Sequence, residues 1–154
     1  MTATNATKSV LEGMYAAEAE YMAADGPGEA SFAPLAEFFS PDVVLHQAEA
    51  MPYGGTWHGH QGMERFFLAM SRTWESFEML EQDFLASDNT TGTAVVLTHV
   101  RARARETGRD LEFAILQTIA IRNEQITEIH PFYWDTAAIA DICANPAPTQ
   151  HQSH

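Results

Sequence analysis

From Thr93 to Arg122 the chain alternates side-chain character over two long runs separated by Thr107-Gly108. A period of two is the signature of extended strands, because successive side chains point to opposite faces. In the first run, Thr93 to Arg105, one face carries Ala94, Val96, Thr98, Val100, Ala102 and Ala104, and the other Val95, Leu97, His99, Arg101, Arg103 and Arg105. In the second, Arg109 to Arg122, Leu111, Phe113, Ile115, Gln117, Ile119 and Ile121 share a face. The Gly at the break suits a hairpin turn. Long paired strands with one apolar face make a sheet the frame of this fold. Gln117 is the polar member of an apolar row. A buried amide left unpaired costs roughly 1–3 kcal/mol, so Gln117 must bond a neighbouring side chain, a water or a ligand. The three arginines on the opposite face most simply offset nearby carboxylates.

Strands continue on both sides. Phe77 to Ala86 reads as one, ended by Ser87-Asp88-Asn89, and Asn123-Glu124-Gln125 turns the chain into ITEIHPFYWD, Ile126 to Asp135. That last stretch alternates, breaks at Pro131 and ends on a carboxylate beside three aromatic residues. A carboxylate in apolar surroundings has a raised pKa and suits proton transfer. Asp135 equally fits the N-cap of a final helix over Thr136 to Cys143.

The first half is helical. Val10, Met14, Ala17 and Tyr21 share a face, with Leu11 and Tyr15 beside it, which predicts a helix over Lys8 to Ala24, stopped by Asp25-Gly26-Pro27-Gly28. Tyr21 is either a core tyrosine or a pocket donor. A short helix is expected from Ser31 to Phe39, a turn at Ser40-Pro41-Asp42, and a strand over Val43 to Gln47. Ala48 to His58 reads as a loop, with Gly54-Gly55 allowing close backbone approach and Tyr53, Trp57 and His58 as pocket-wall candidates. The most periodic segment, Gly59 to Trp74, carries Met63, Phe66, Phe67, Met70 and Trp74 on one helical face. The chain reads as one domain over residues 8–143, with flexible tails at 1–7 and 144–154.

The formal charge is −13, from 8 basic and 21 acidic residues. This argues against nucleic acid and against an anionic membrane surface as partners, and leaves a small apolar or cyclic ligand open. Hydrophobic residues make up 45% of the chain, enough for a full core. The single cysteine, Cys143, excludes an intrachain disulfide. No signal peptide or membrane span is read, so a cytoplasmic location is expected. His58 and His60, with His46 a strand away, lack a carboxylate-rich motif, and no metal is expected.

Three stretches carry a family resemblance. FFSPDVVLHQ (38–47), YGGTWHGHQGMERFF (53–67) and ETGRDLEFAILQTIAIRNEQITEI (106–129) resemble the nuclear transport factor 2-like superfamily, in particular its ketosteroid isomerase and SnoaL-like polyketide cyclase families. The last stretch also resembles limonene epoxide hydrolase. The resemblance implies a cone-shaped α+β fold, a curved mixed sheet around an apolar pocket with three N-terminal helices, and a homodimer. Tyr21 lies near the oxyanion-donating tyrosine of the isomerases. Gln47 stands where their aspartate base would be, and Gln117 where their second oxyanion donor would be. The water-activating positions of the hydrolase fall near Val100 and Thr98, which cannot do that chemistry. Asp135 matches the late aspartate base of the SnoaL-like cyclases.

The implied function is cofactor-independent acid–base chemistry of cyclase or isomerase type on a small, mainly apolar carbonyl or polyketide-like substrate. Asp135 would be the base, Tyr21 and Gln117 the enolate donors, and His46 a second acid–base group. Gln47, Tyr53, Trp57, Phe132 and Trp134 would shape the pocket. The alternative is a non-catalytic ligand-binding or dimerisation module, favoured if Asp135 turns away from the cavity and caps the last helix. Tyr21, Gln117 and Asp135 should converge on one cavity if the catalytic scheme holds.

Overall fold

A computed structural model describes residues 2–23, 30–88 and 90–146. The elements are α1 (Thr2–Ala23), α2 (Ala33–Ala36), β1 (Phe39–Gln47), β2 (Gly55–His58), α3 (Gly59–Thr73), β3 (Trp74–Asp88), β4 (Thr93–Ala104), β5 (Asp110–Arg122), β6 (Gln125–Tyr133) and α4 (Thr136–Ala144). The six strands form one sheet in the order β2-β1-β6-β5-β4-β3. All pairings are antiparallel except β1 with β6, which is parallel. The sheet is therefore mixed, and α1 and α3 pack on one of its faces.

The alternation of the 93–122 stretch is realised directly. Ala94, Val96, Thr98, Val100, Ala102 and Ala104 are buried, while His99, Arg101 and Arg103 are exposed. The β5–β6 connection is a two-residue turn in which Asn123 and Glu124 both take positive φ, 52° and 62°, the conformation that matches strand twist in tight hairpins. A bulge between Ala120 and Ile121 against β6 lets Ile126 and Ile129 both reach the core despite their odd spacing.

Several boundaries differ from expectation. α1 begins at Thr2 rather than Lys8, and its expected stop at 25–28 lies outside the described residues, as does the expected tail beyond Pro146. The helix expected over 31–39 shrinks to Ala33–Ala36 because the sheet claims its end: Ile126 N–H donates to the Phe38 carbonyl at 2.8 Å, and Phe39 pairs with Ile126. The expected turn at 40–42 becomes an irregularity inside β1, where the register with β6 shifts between Phe39 and Val44. Pro41 falls in this break, where no ladder donor is required. Part of the expected 48–58 loop is β2, paired along the end of β1. The close backbone approach expected there is real at Gly54, where a Cβ would come within 2.4 Å of the Ala48 carbonyl oxygen.

Pro131 does not end the last strand. β6 stays in register with β5 as far as Tyr133, with Gln117 opposite Pro131. Pairing with β1 goes no further than Leu45 with Ile129. Proline has no N–H to give to a ladder, so β6 keeps one neighbour past this point and loses the other.

Candidate functional site

The covered sheet face and the two long helices line a cavity of about 70 Å³. Its apolar wall includes Met14 from α1, Phe39 from β1, and Met63 and Phe66 from α3. The polar side chains on it are Tyr15 and Glu18 from α1, Gln47 from β1, Thr98 from β4, Gln117 from β5 and Tyr133 from β6. Each strand residue sits at an inward position of its alternation. On α1, Met14, Tyr15 and Glu18 fall within one turn on the same side.

Glu18 is the chemically distinctive member. Desolvation by burial pushes its carboxyl pKa from 4.5 up to about 7. Its charge bears on its neighbours. Burial first, then Glu18, raises the Tyr15 phenol well above the ordinary range. Burial raises Tyr133 to about 12, partly offset by hydrogen bonding to Tyr53 and Gln47, with Glu18 adding a smaller upward push. A second, larger space of about 600 Å³ adjoins the cavity and shares Glu18, Phe67, Met70, Phe77 and Met79 with it. Glu18 thus lies on the wall of both spaces.

The polar wall has unused hydrogen-bonding capacity. Among the described residues, Tyr15 Oη, Gln47 Oε1 and Thr98 Oγ1 on this wall, and Tyr21 Oη away from it, are buried with no protein partner of normal geometry. Buried polar groups without partners are uncommon in folded proteins, and three around one cavity suit a polar ligand. Tyr133 is held from behind: its hydroxyl shares a 3.3 Å hydrogen bond with Tyr53, and Tyr53 accepts from Trp74 Nε1 at 3.0 Å.

The residues expected to form the site divide. Gln47 and Gln117 line the cavity. Tyr53 is buried one hydrogen bond behind it. Trp57 packs on Phe66 and donates to the Tyr53 carbonyl, bracing the wall rather than lining it. Tyr21 is buried between Phe32 and Phe67 and is absent from the cavity wall. It continues the Met14–Glu18 face, but the phenylalanines fill the space beneath it.

His46 points to the other face of the sheet, where its Nε2 lies 2.7 Å from Glu128. Phe132 and Trp134 also face outward, 57% and 86% exposed. Asp135 is exposed, and its Oδ1 accepts from the Ala138 N–H at 3.0 Å, capping α4. The expected convergence of Tyr21, Gln117 and Asp135 does not occur; of these, Gln117 reaches the cavity. Glu18, missed by the sequence reading, is the carboxylate that lines the cavity. The signal was present: Glu18 lies seven residues after Leu11, four after Met14 and three after Tyr15, so it falls on the apolar side of α1.

The arginine face serves structure. Arg101 pairs with Glu78 and Arg103 with Asp110, while Arg105 donates to the carbonyls of Ser71 and Trp74. His60 bonds the Phe39 carbonyl and does not converge with His58 and His46. No helix among the described residues is long and apolar enough to cross a membrane.

Solved structures share this architecture. An NTF2-like protein from Burkholderia xenovorans is 18% identical, with 90% of this chain and 96% of that one aligned at a TM-score of 0.76. TerC, co-crystallised with polyporic acid, is 16% identical over 91% of this chain and 99% of that one, at a TM-score of 0.74. A candidate polyketide cyclase from Xanthomonas campestris is 14% identical over 91% and 98%, at 0.69. At these identities the likeness establishes the fold: an α+β NTF2-like domain with N-terminal helices on a six-stranded mixed sheet. No curated protein sequence matches. The family model of the SnoaL-like domain matches residues 19–129, well over half of the sequence, and the chain belongs to the SnoaL-like domain family.

Proposed function

We propose that this protein is a cofactor-independent acid–base enzyme acting on a small carbonyl compound, with Glu18 as the base. The observation that carries the reading is a carboxyl with a pKa near 7 on the wall of a mostly apolar cavity that also holds hydroxyl and amide groups. A base poised near the working pH combines a large ionised fraction with useful basicity. Ionised Glu18 removes a proton from the carbon α to a carbonyl. The developing enolate oxygen accepts hydrogen bonds from Tyr15, Gln47 or Gln117, donors already fixed in a water-poor site. Isomerisation or ring closure follows from where the proton is returned or what the enolate attacks.

Cavity size bears on the substrate. About 70 Å³ is small beside the roughly 300–1,000 Å³ of sites that bury drug-sized ligands. A small carbonyl fits as the chamber stands. A polyketide-like chain would place its reacting end beside Glu18 and the remainder in the adjoining space.

Hydrogen–deuterium exchange α to the carbonyl, followed by NMR over a panel of small ketones and β-dicarbonyl compounds, tests the scheme. The exchange rate per enzyme should rise with pH through a midpoint near 7 and level off above it, because the carboxylate form is the active one. A non-catalytic binding module, the reading that the outward, helix-capping Asp135 favours, would bind members of the panel and exchange none.

The outer sheet face supports a homodimer. Leu116 and Phe132 are cross-strand partners, both are exposed, and Trp134 is the most exposed large hydrophobic residue described. Contiguous exposed apolar side chains of this kind mark interaction surfaces. The double substitution Phe132→Glu and Trp134→Glu should convert a dimer to a monomer in analytical ultracentrifugation without changing the circular dichroism spectrum. An unchanged sedimentation coefficient would remove this face as the interface.

A further inference from the structure

We propose that the outer face of β1 and β6 carries a binding site for a late first-row divalent metal ion, zinc in the first instance, formed by His46, Glu128 and His130. Glu128 and His130 are alternate residues of one strand and so project from the same face. β1 runs parallel beside β6 with Leu45 opposite Ile129, which brings the next residue, His46, alongside His130. The two imidazoles stack with centroids 4.2 Å apart and planes 4° from parallel. Their ring nitrogens and the carboxylate converge: His46 Nε2 lies 2.7 Å and His130 Nε2 4.0 Å from Glu128 Oε2. One ligand atom from each residue falls within 4.8 Å of the others.

Ligands bonded to zinc at the usual distances stand about 3.3 Å apart in a tetrahedral site. The separations here bracket that value, and turning one imidazole out of the stack about its side-chain torsions would let all three atoms meet one ion. Two neutral imidazoles and one carboxylate form a donor set suited to zinc and its first-row neighbours rather than to magnesium or calcium. The formal charge of −13 further favours a cation at the surface. The site lies on the opposite side of the sheet from the cavity, so it is distinct from the acid–base chemistry proposed there. The fourth position would face solvent and take water or a ligand from a partner.

Zinc titration by calorimetry on the full-length protein tests the assignment. Wild type should bind one more equivalent per chain than the His46→Ala/His130→Ala double variant. Histidines elsewhere, including the exposed His99 beside Glu81 and Asp83, remain in both proteins and cancel in the difference. Glu128→Gln preserves size and should weaken the same equivalent at least tenfold, which keeps the test open if the histidine variants misfold. His99→Ala should leave it unchanged. Cobalt in place of zinc should give tetrahedral d–d absorption in wild type that the double variant lacks. Equal stoichiometry in wild type and double variant, or an equivalent unaffected by Glu128→Gln, overturns the proposal.

Discussion

Glu18→Gln is expected to lower the proton-exchange rate by about 10²–10⁴-fold while making the folded protein more stable above pH 7. The two effects have one cause. Partial burial in the cavity wall desolvates the carboxylate and pushes its pKa from 4.5 to about 7. Folding therefore favours the protonated acid. Between those pH values the native state holds a proton that the unfolded chain has released, so this group lowers stability as pH rises. Below 4.5 it contributes nothing, and above 7 its full cost is present. At about 1.4 kcal/mol per pH unit the cost has an upper bound of roughly 3.5 kcal/mol. Glutamine has nearly the same shape and no charge, and so escapes it. The stability difference between variant and wild type, from urea unfolding at several pH values, should be near zero at pH 4.5 and grow to its plateau by pH 7–8. A variant that loses both turnover and stability would make Glu18 a structural group. One that keeps turnover would place the base elsewhere.

The frame of this fold was legible because strands with one buried face write their period into the sequence. The 93–122 hairpin, the α3 stripe from Met63 to Met70 and the inward placement of Gln117 follow from spacing alone, while Gln47 entered through the family resemblance. What failed to show was long-range competition. Phe38 and Phe39 suit a helix locally, but the N–H of Ile126 claims the Phe38 carbonyl and pairing across the sheet decides their conformation. Asp135 looked enclosed because aromatic residues precede it, yet alternation sends Phe132 and Trp134 to the outer face, where they remain exposed. His46 and Gln47 could not both have lined one cavity, since adjacent strand residues face opposite ways. Glu18 was hidden for a different reason. α1 is rich in acidic residues, including Glu12 and Glu20, and the helix period alone does not say which part of its apolar side meets a cavity. The family resemblance does not help, because the α1 position it points to is Tyr21.

Phe39→Ala should cost about 3–5 kcal/mol of stability, the range for removing a buried phenylalanine ring, and should shift the size of substrate the protein accepts. Phe39 is 1% exposed, sits at the point where β1 first meets β6, and forms part of the cavity wall. Two effects compete over the magnitude. Loss of the ring removes apolar contacts that the neighbours cannot replace, which favours the upper end. The space it leaves opens into a chamber already lined by Gln47, Thr98 and Gln117, where water can find polar partners, which favours the lower end. The second effect should win, placing the loss near 3 kcal/mol, read as a lower urea midpoint with an unchanged slope. Phe39→Leu, which keeps most of the volume, should cost less than about 1.5 kcal/mol. The alanine variant should then exchange protons on bulkier ketones faster, relative to small ones, than wild type does. Because the same side chain closes both the core and the chamber, the two measurements separate their roles. A stability loss with no change in size preference would mean that catalysis does not occur in this cavity.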